Sequence, residues 1–241
     1  MKQDVSAAST SDKQEKPAKS MKPQKNLYEP YRPPWICWHL LRAVVLLVIT
    51  LTARVRFHGR ENVSAKGPFI IAANHLSWTD IPLIPLPIGR RVVYMAKEEY
   101  FKSKWAWLVR FLGAFPVKRG EADRQALRAG EKQLKEGRIL VMFPEGTRSR
   151  TRTLAAAHPG MGMIALRTGV PVVPVAIAGS QNLLKKFGAR VTVTYGEPMI
   201  FKPKGSKMTR EDIDNVTEQV MQKIASMLPP EYRGVYADKV Q

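Results

Sequence analysis

A histidine and an aspartate, His75 and Asp80, follow the apolar run PFIIAA at residues 68–73. In an unbroken helix, five residues rotate a side chain by about 140°, so the two side chains would lie on different faces. They can meet if His75 lies in a turn and Asp80 opens a helix. Pro82 favours this arrangement, because proline is tolerated in the first turn of a helix.

In that arrangement Asp80 can accept a hydrogen bond from one ring nitrogen of His75 and leave the other to take a proton from a hydroxyl. A substrate alcohol would then be the nucleophile, and no serine or cysteine is needed. The alternative is an aspartate that caps a helix beside an ordinary loop histidine. The spacing alone leaves both interpretations open.

A second polar cluster, FPEGTRSR at residues 143–150, follows the apolar run 138–143. Gly146 allows a sharp turn or a close approach to a ligand. Arg148 offers a planar fork that suits phosphate, and Glu145 can bind a polyol hydroxyl or hold Arg148 in position. The alternative is a surface turn with a Glu–Arg pair of little energetic value.

Strand-like apolar runs alternate with amphipathic helical patterns through most of the chain. The runs predicted as strands are 53–57, 68–73, 91–96, 138–143, 171–177 and 190–195, and the predicted helices are 123–136, 160–167 and 210–228. This alternation indicates an α/β fold: a single domain with a largely parallel or mixed sheet flanked by helices. Ligands of open α/β sheets bind beyond the carboxyl ends of strands, where both polar clusters and Lys97 lie.

The N-terminal part of the chain has a different composition. Residues 1–34 are predicted to be a basic tail, disordered over 1–27, with a Pro-rich connector, and the α/β domain is assigned to 53–241. Between them, 35–52 is predicted to be a membrane-associating hydrophobic helix. Its uninterrupted apolar part, 43–51, is shorter than the ~20 residues of a span, which favours a helix in one leaflet of the cell membrane, on the cytoplasmic face. A single span and a buried helix remain alternatives.

The net charge of +19, from 39 Lys and Arg against 20 Asp and Glu, indicates an anionic partner such as nucleic acid, anionic lipid or a phosphorylated molecule. Nucleic acid is disfavoured, because aromatic residues are not interleaved with Lys and Arg in a stacking pattern. The single cysteine, Cys37, excludes an intramolecular disulfide. No cluster has the spacing of metal ligands.

Four sequence blocks in this order resemble the phospholipid/glycerol acyltransferases, most closely the 1-acyl-glycerol-3-phosphate acyltransferases. The blocks are NHLSWTD (74–80), GAFPVKRG (113–120), FPEGTRS (143–149) and VPVVPVAI (170–177), within a resemblance that covers roughly residues 53–200. It implies that His75 is a general base and Asp80 its partner in an HxxxxD motif. It also implies a substrate-binding set for the glycerol phosphate, namely Glu145, Gly146, Thr147, Arg148, Arg119 and Lys97.

Two stretches depart from the family pattern. Val117 stands where the second block usually has an acidic or polar residue, which affects how Arg119 is supported. TLAAAHPG, at residues 153–160, replaces a lead richer in Lys and Pro, so the acceptor pocket is expected to differ there.

The resemblance implies transfer of an acyl group from acyl-CoA or acyl-carrier protein to the sn-2 hydroxyl of lysophosphatidic acid, giving phosphatidic acid without a cofactor. Within the family, another lysophospholipid or an amino-lipid is an alternative acceptor. Outside it, a nucleic-acid-binding protein and a catalytically silent membrane module are alternatives. The intact HxxxxD disfavours the silent module.

Overall fold

The computed structural model describes residues 28–64, 66–118 and 123–240. The tail 1–27, predicted to be disordered, and Arg119 lie outside the described residues. The strands are β1 (Ala53–His58), β2 (Phe69–Ala73), β3 (Val92–Lys97), β4 (Ala114–Val117), β5 (Ile139–Met142), β6 (Val172–Ala178) and β7 (Ala189–Tyr195). The α-helices are α1 (Trp35–Thr52), α2 (Asp80–Leu83), α3 (Glu98–Phe101), α4 (Ala106–Phe111), α5 (Arg124–Lys135), α6 (Gly160–Thr168) and α7 (Arg210–Ser226). Short 3-10 turns cover Arg60–Asn62, Ser180–Asn182, Pro230–Tyr232 and Gly234–Lys239.

The strands form one mixed sheet in the order β1-β7-β6-β2-β5-β3-β4. The five strands from β6 to β4 run parallel, whereas β7 is antiparallel to β6 and pairs in parallel with β1. The predicted fold class is therefore confirmed. We call the edge at which β2, β3, β4, β5 and β6 end the carboxyl edge; β7 and β1 begin there.

Helices cover both faces of the sheet, which explains why the central strands are apolar throughout rather than alternating. Within β2, Ile70 and Ala72 pack in a cluster with α5, α6 and α7. Their neighbours Phe69, Ile71 and Ala73 pack in the opposite cluster with α1, α2, α3 and α4.

Helix α1 lies against the second face and occupies the range predicted for the hydrophobic helix. Trp38 and Ile49 are buried against the domain, and Arg42 donates to Leu86 O at 2.9 Å and 2.8 Å. The helix also has an exposed apolar stripe, formed by Trp35, Ile36, Leu40, Val44, Leu47, Val48 and Leu51. Its 18 residues, with a mean hydropathy of 1.9, are long and apolar enough to cross a membrane by length and composition.

Candidate active site

His75 lies just after β2, where its side chain contacts Asp80. Asn74 anchors this exit by exchanging two hydrogen bonds with the backbone of Ile177 in β6, at 2.9 Å and 2.7 Å. Asp80 is the first residue of α2 and Pro82 the third, so the helix opens where the sequence requires. His75 Nδ1 lies 2.8 Å from Asp80 Oδ2, and the aspartate is fully buried.

The Asp80 carboxylate fixes the orientation of the imidazole. Its Oδ2 also accepts the N–H groups of Leu76 and Ser77, each at 2.7 Å. Because a carboxylate only accepts hydrogen bonds, we assign the ring proton to Nδ1, which leaves the lone pair on Nε2. The ring of Phe143 stacks on the imidazole, with centroids 3.9 Å apart and planes at 17°. An imidazole held in this way can take a proton from a hydroxyl at Nε2.

Glu145, three residues beyond β5, connects the two polar motifs through the backbone. Its Oε1 accepts His75 N–H and its Oε2 accepts Ala155 N–H, both at 3.0 Å. Burial raises the pKa of this carboxyl from 4.5 to about 7; the negative charge of Asp80 adds to the rise, and the two backbone hydrogen bonds oppose it. The sequence had suggested that Glu145 could hold Arg148, but the structure shows no ion pair between them. Both carboxyl oxygens are instead used by the backbone.

Gly146 and Ser149 complete the connection between the two strand exits. Gly146 has a φ of +68°, and a Cβ there would lie 2.7 Å from His158 Cδ2, so a glycine is required for both its conformation and its space. Ser149 N–H donates to His75 O at 2.8 Å. The backbone of His75 is thus bonded on both sides by the FPEGTRS segment.

Arg148 lies exposed beside the histidine and stacks on an aromatic ring. Its guanidinium carbon is 4.6 Å from the ring centroid of Trp78, which contacts Tyr100 edge-on at 4.9 Å. Arg148 forms no ion pair with a carboxylate of the described chain, so its fork is available to an anion. Thr147 is also exposed.

Lys97 is a predicted site residue that the contacts of this arrangement do not include. Lys97 ends β3, which is separated from β2 by β5, and its ammonium forms an ion pair with Glu99 at 2.8 Å. Arg119 lies outside the described residues.

Trp78 and Phe143 were not singled out from the sequence, although both lie within the quoted motifs. The only signal for Phe143 was its position at the end of an apolar run that leads into a polar cluster. Trp78 lies two residues before Asp80, and the spacing of the motif does not predict whether its side chain is exposed. Among the described residues, no group of three His, Cys, Asp or Glu side chains could hold a metal ion.

Comparison with known proteins places this chain in a family. The family model described as "Acyltransferase" matches residues 54–178. The 1-acyl-sn-glycerol-3-phosphate acyltransferase of Bacillus subtilis is 31% identical over 188 residues, which cover 75% of this chain and 92% of the relative. The lyso-ornithine lipid O-acyltransferase of Pseudomonas aeruginosa is 36% identical over 144 residues, covering 58% of this chain and 52% of the relative.

A solved structure has the same fold. The crystal structure of the 1-acyl-sn-glycerophosphate acyltransferase PlsC from Thermotoga maritima matches with a TM-score of 0.57 and 30% sequence identity. The match covers 79% of this chain and 83% of the Thermotoga chain. The chain is a member of the acyltransferase family that includes the 1-acyl-sn-glycerol-3-phosphate acyltransferases.

Proposed function

We propose that this protein is a 1-acylglycerol-3-phosphate O-acyltransferase, which transfers an acyl group from acyl-CoA or acyl-carrier protein to the sn-2 hydroxyl of lysophosphatidic acid. The observation that carries the proposal is the 2.8 Å contact between His75 Nδ1 and the fully buried Asp80. The names of the Bacillus and Thermotoga relatives support the acceptor. The product would be phosphatidic acid.

In the proposed reaction, His75 Nε2 removes the proton of the acceptor hydroxyl while the oxygen attacks the thioester carbonyl. Asp80 stabilises the imidazolium that forms, because its negative charge lies next to Nδ1. The tetrahedral intermediate then expels the thiolate, and the imidazolium returns the proton to sulfur. The new ester and the free thiol balance the reaction without a covalent enzyme intermediate.

We assign the acceptor phosphate to Arg148, which is exposed and free of intramolecular ion pairs within the described chain. The cation–π contact with the Trp78 ring limits the motion of the guanidinium, so less side-chain entropy is lost when phosphate binds. Lys97 and Arg119 remain proposed auxiliary cations, and Thr147 a proposed contact beside Arg148. Gly146 shapes the turn. Because both oxygens of Glu145 are bonded to the backbone, we propose that it positions His75 rather than binding substrate.

A second acceptor class, the amino-lipids, is favoured by the similarity to the lyso-ornithine lipid O-acyltransferase. The two acceptors differ in the phosphate that Arg148 would bind. Assays with lysophosphatidic acid and lyso-ornithine lipid, each at matched concentration, separate them by the ratio of kcat/KM.

The test of the reaction is acyl transfer by the purified chain with either donor, comparing His75→Ala, Asp80→Asn and His58→Ala. His75→Ala should lose at least the ~10²–10⁴-fold that general base catalysis supplies, and Asp80→Asn much of the same factor. His58, an exposed histidine at the end of β1, is the matched control and should be dispensable. A folded His75→Ala protein with near-normal turnover would show that the mechanism is wrong.

We also propose that α1 lies in one leaflet of the cell membrane, at the cytoplasmic face. The packing of Trp38 and Ile49 and the bonds from Arg42 to Leu86 hold the helix along the domain, and a transmembrane orientation would break these contacts. Carbonate extraction of the full chain tests this placement. Release into the soluble fraction supports it, whereas retention in the pellet indicates a true span.

A further inference from the structure

The turn between β6 and β7 exposes two large apolar side chains. Leu184 is 77% exposed and Phe187 is 83% exposed, the two highest values among the large hydrophobic side chains that the structure describes. Exposed Lys185 and Lys186 stand between them. We call residues 184–187 the LKKF turn.

Backbone hydrogen bonds hold the LKKF turn in place. Lys185 N–H and Lys186 N–H both donate to Asn182 O at 3.0 Å, and Ala189 N–H donates to Lys186 O at 3.1 Å. The preceding residue, Leu183, is buried in the core. The turn is thus fixed at both ends, and Leu184 and Phe187 are held outward instead of folding back onto the domain.

The turn lies at the carboxyl edge, beside both α1 and the catalytic pair. Gly188 N–H donates to Thr52 O at 2.8 Å, so the turn adjoins the C-terminal end of α1. Just before the turn, Ser180 O accepts the hydroxyl of Thr79 at 3.0 Å, and Thr79 is the neighbour of Asp80. The exposed apolar stripe of α1 ends at Leu51, one residue before Thr52, so it reaches the end of the helix that the turn adjoins.

We propose that the LKKF turn is a second membrane contact, in which Leu184 and Phe187 insert into an anionic bilayer and the two lysines bind lipid phosphates. This inference rests on the membrane placement of α1 given above but not on the acyl-transfer reaction. A bilayer is the occupant that fits, because apolar tips flanking cations match the boundary between acyl chains and anionic headgroups. The continuity with α1 puts both contacts on one side of the protein.

A contact along α1 that continues at the LKKF turn would fix the orientation of the domain on the membrane. The N-terminal end of α1 lies beside the amino ends of β3 and β4, since Trp38 lines a cavity of about 260 Å³ there together with Val92 and Gly113. The LKKF turn lies at the carboxyl edge. Insertion of the turn as well as α1 would hold the edge that carries His75 at the lipid surface, where a lysolipid can reach it without leaving the bilayer.

The experiment uses the full chain on vesicles and a polarity-sensitive NBD fluorophore at three single cysteines. Native Cys37, exposed on α1, reports the helix. Cys37→Ser combined with Phe187→Cys reports the turn, and Cys37→Ser combined with Ile200→Cys is the control. Ile200 is 64% exposed. It follows Met199, which pairs with Val172 at the amino end of β6, so it lies at the edge of the sheet opposite the LKKF turn. Emission is recorded with phosphatidylglycerol-rich and phosphatidylcholine vesicles, with and without doxyl-labelled lipid.

On anionic vesicles, we expect the label at 187 to shift to the blue and to be quenched by doxyl lipid, and the label at 200 to do neither. Adding Lys185→Gln and Lys186→Gln should reduce insertion of the 187 label by about fivefold per lysine on anionic vesicles. The same changes should have little effect on phosphatidylcholine vesicles.

Three results would overturn the proposal. The label at 187 could behave like that at 200 while Cys37 is quenched, which would leave α1 as the membrane contact. A blue shift at 187 without doxyl quenching would mean that a protein surface covers the turn. If no position responds, the membrane placement of α1 is rejected as well. Acyl transfer is assayed on the same samples, so an inactive protein with a quenched 187 label would reject the reaction and keep the turn.

Discussion

Replacing Glu145 by Gln should change how the stability of this protein depends on pH. Burial raises the pKa of Glu145 to about 7 in the folded protein, whereas an exposed glutamate in the unfolded chain titrates near 4.5. Between these values the folded state binds the additional proton, so the free energy of unfolding falls as the pH rises. This contribution to stability is fully present below about pH 4.5 and is lost as the pH passes 7.

The expected magnitude follows from the gap between the two pKa values. A gap of roughly 2.5 at about 1.4 kcal/mol for each pKa unit gives about 3.5 kcal/mol. The substitution by glutamine also lowers the free energy of unfolding by an amount that does not depend on pH. Glu145 accepts the N–H groups of His75 and Ala155 on its two oxygens, whereas glutamine has one carbonyl oxygen and can accept only one of them. An unsatisfied buried N–H costs about 1–3 kcal/mol. Glu145→Gln should therefore be less stable than wild type at pH 5, with the difference vanishing or reversing near pH 8.

The assay is urea unfolding of the full chain, followed by tryptophan fluorescence at several pH values from 5 to 8. Glu197→Gln, which removes an exposed carboxylate, is the matched control and should keep the pH dependence of wild type. If the stability difference between wild type and Glu145→Gln stays constant across this range, Glu145 does not titrate there. The raised pKa given above for the Glu145 carboxyl would then be wrong.

Two further substitutions test the acceptor side of the site. Arg148→Lys keeps the charge but loses the bidentate geometry of the guanidinium. Steady-state kinetics should therefore show the acceptor KM rising about ten- to a hundredfold, with kcat and the donor KM little changed. A collapsed kcat with an unchanged acceptor KM would instead assign Arg148 to stabilisation of the tetrahedral oxyanion. Gly146→Ala places a methyl group at a φ of +68°, 2.7 Å from His158 Cδ2, and should lower the free energy of unfolding by about 1–3 kcal/mol. Gly205→Ala, which meets open space at a φ outside the left-handed region, is its control in the same urea assay, and equal stability of the two variants would contradict the steric argument.

Much of the fold could be predicted from the sequence because hydrophobic periodicity and capping residues act locally. The helix predicted over 210–228 is α7, which begins after a capping box formed by Thr209 and Asp212. Strand β4 and the short helices α3 and α4 were not predicted. Four residues containing Pro116 carry too little pattern to indicate a strand, and β4 forms because its backbone pairs with β3 at the edge of the sheet.

The site could be predicted less completely, because burial and the direction of a side chain depend on tertiary contacts. The proximity of His75 and Asp80 followed from a local turn and a helix start. The environment of Glu145 did not, since His75 N–H comes from β2 and Ala155 N–H from a loop ten residues further on. The position of Arg148 over Trp78 likewise depends on β2 and β5 being neighbours in the sheet.

The two carboxyl groups around His75 can have separate tasks because their environments differ. Asp80 accepts three hydrogen bonds on one oxygen, two of them from backbone N–H groups and one from the ring itself. Glu145 contacts the backbone of His75 instead, and burial beside the charge of Asp80 favours its neutral form. A second carboxylate close to an imidazole favours the protonated ring, which cannot accept a proton from a hydroxyl. Below about pH 7, where the neutral form of Glu145 predominates, Glu145 therefore joins the two motifs while Asp80 alone supplies the charge that the proposed base requires.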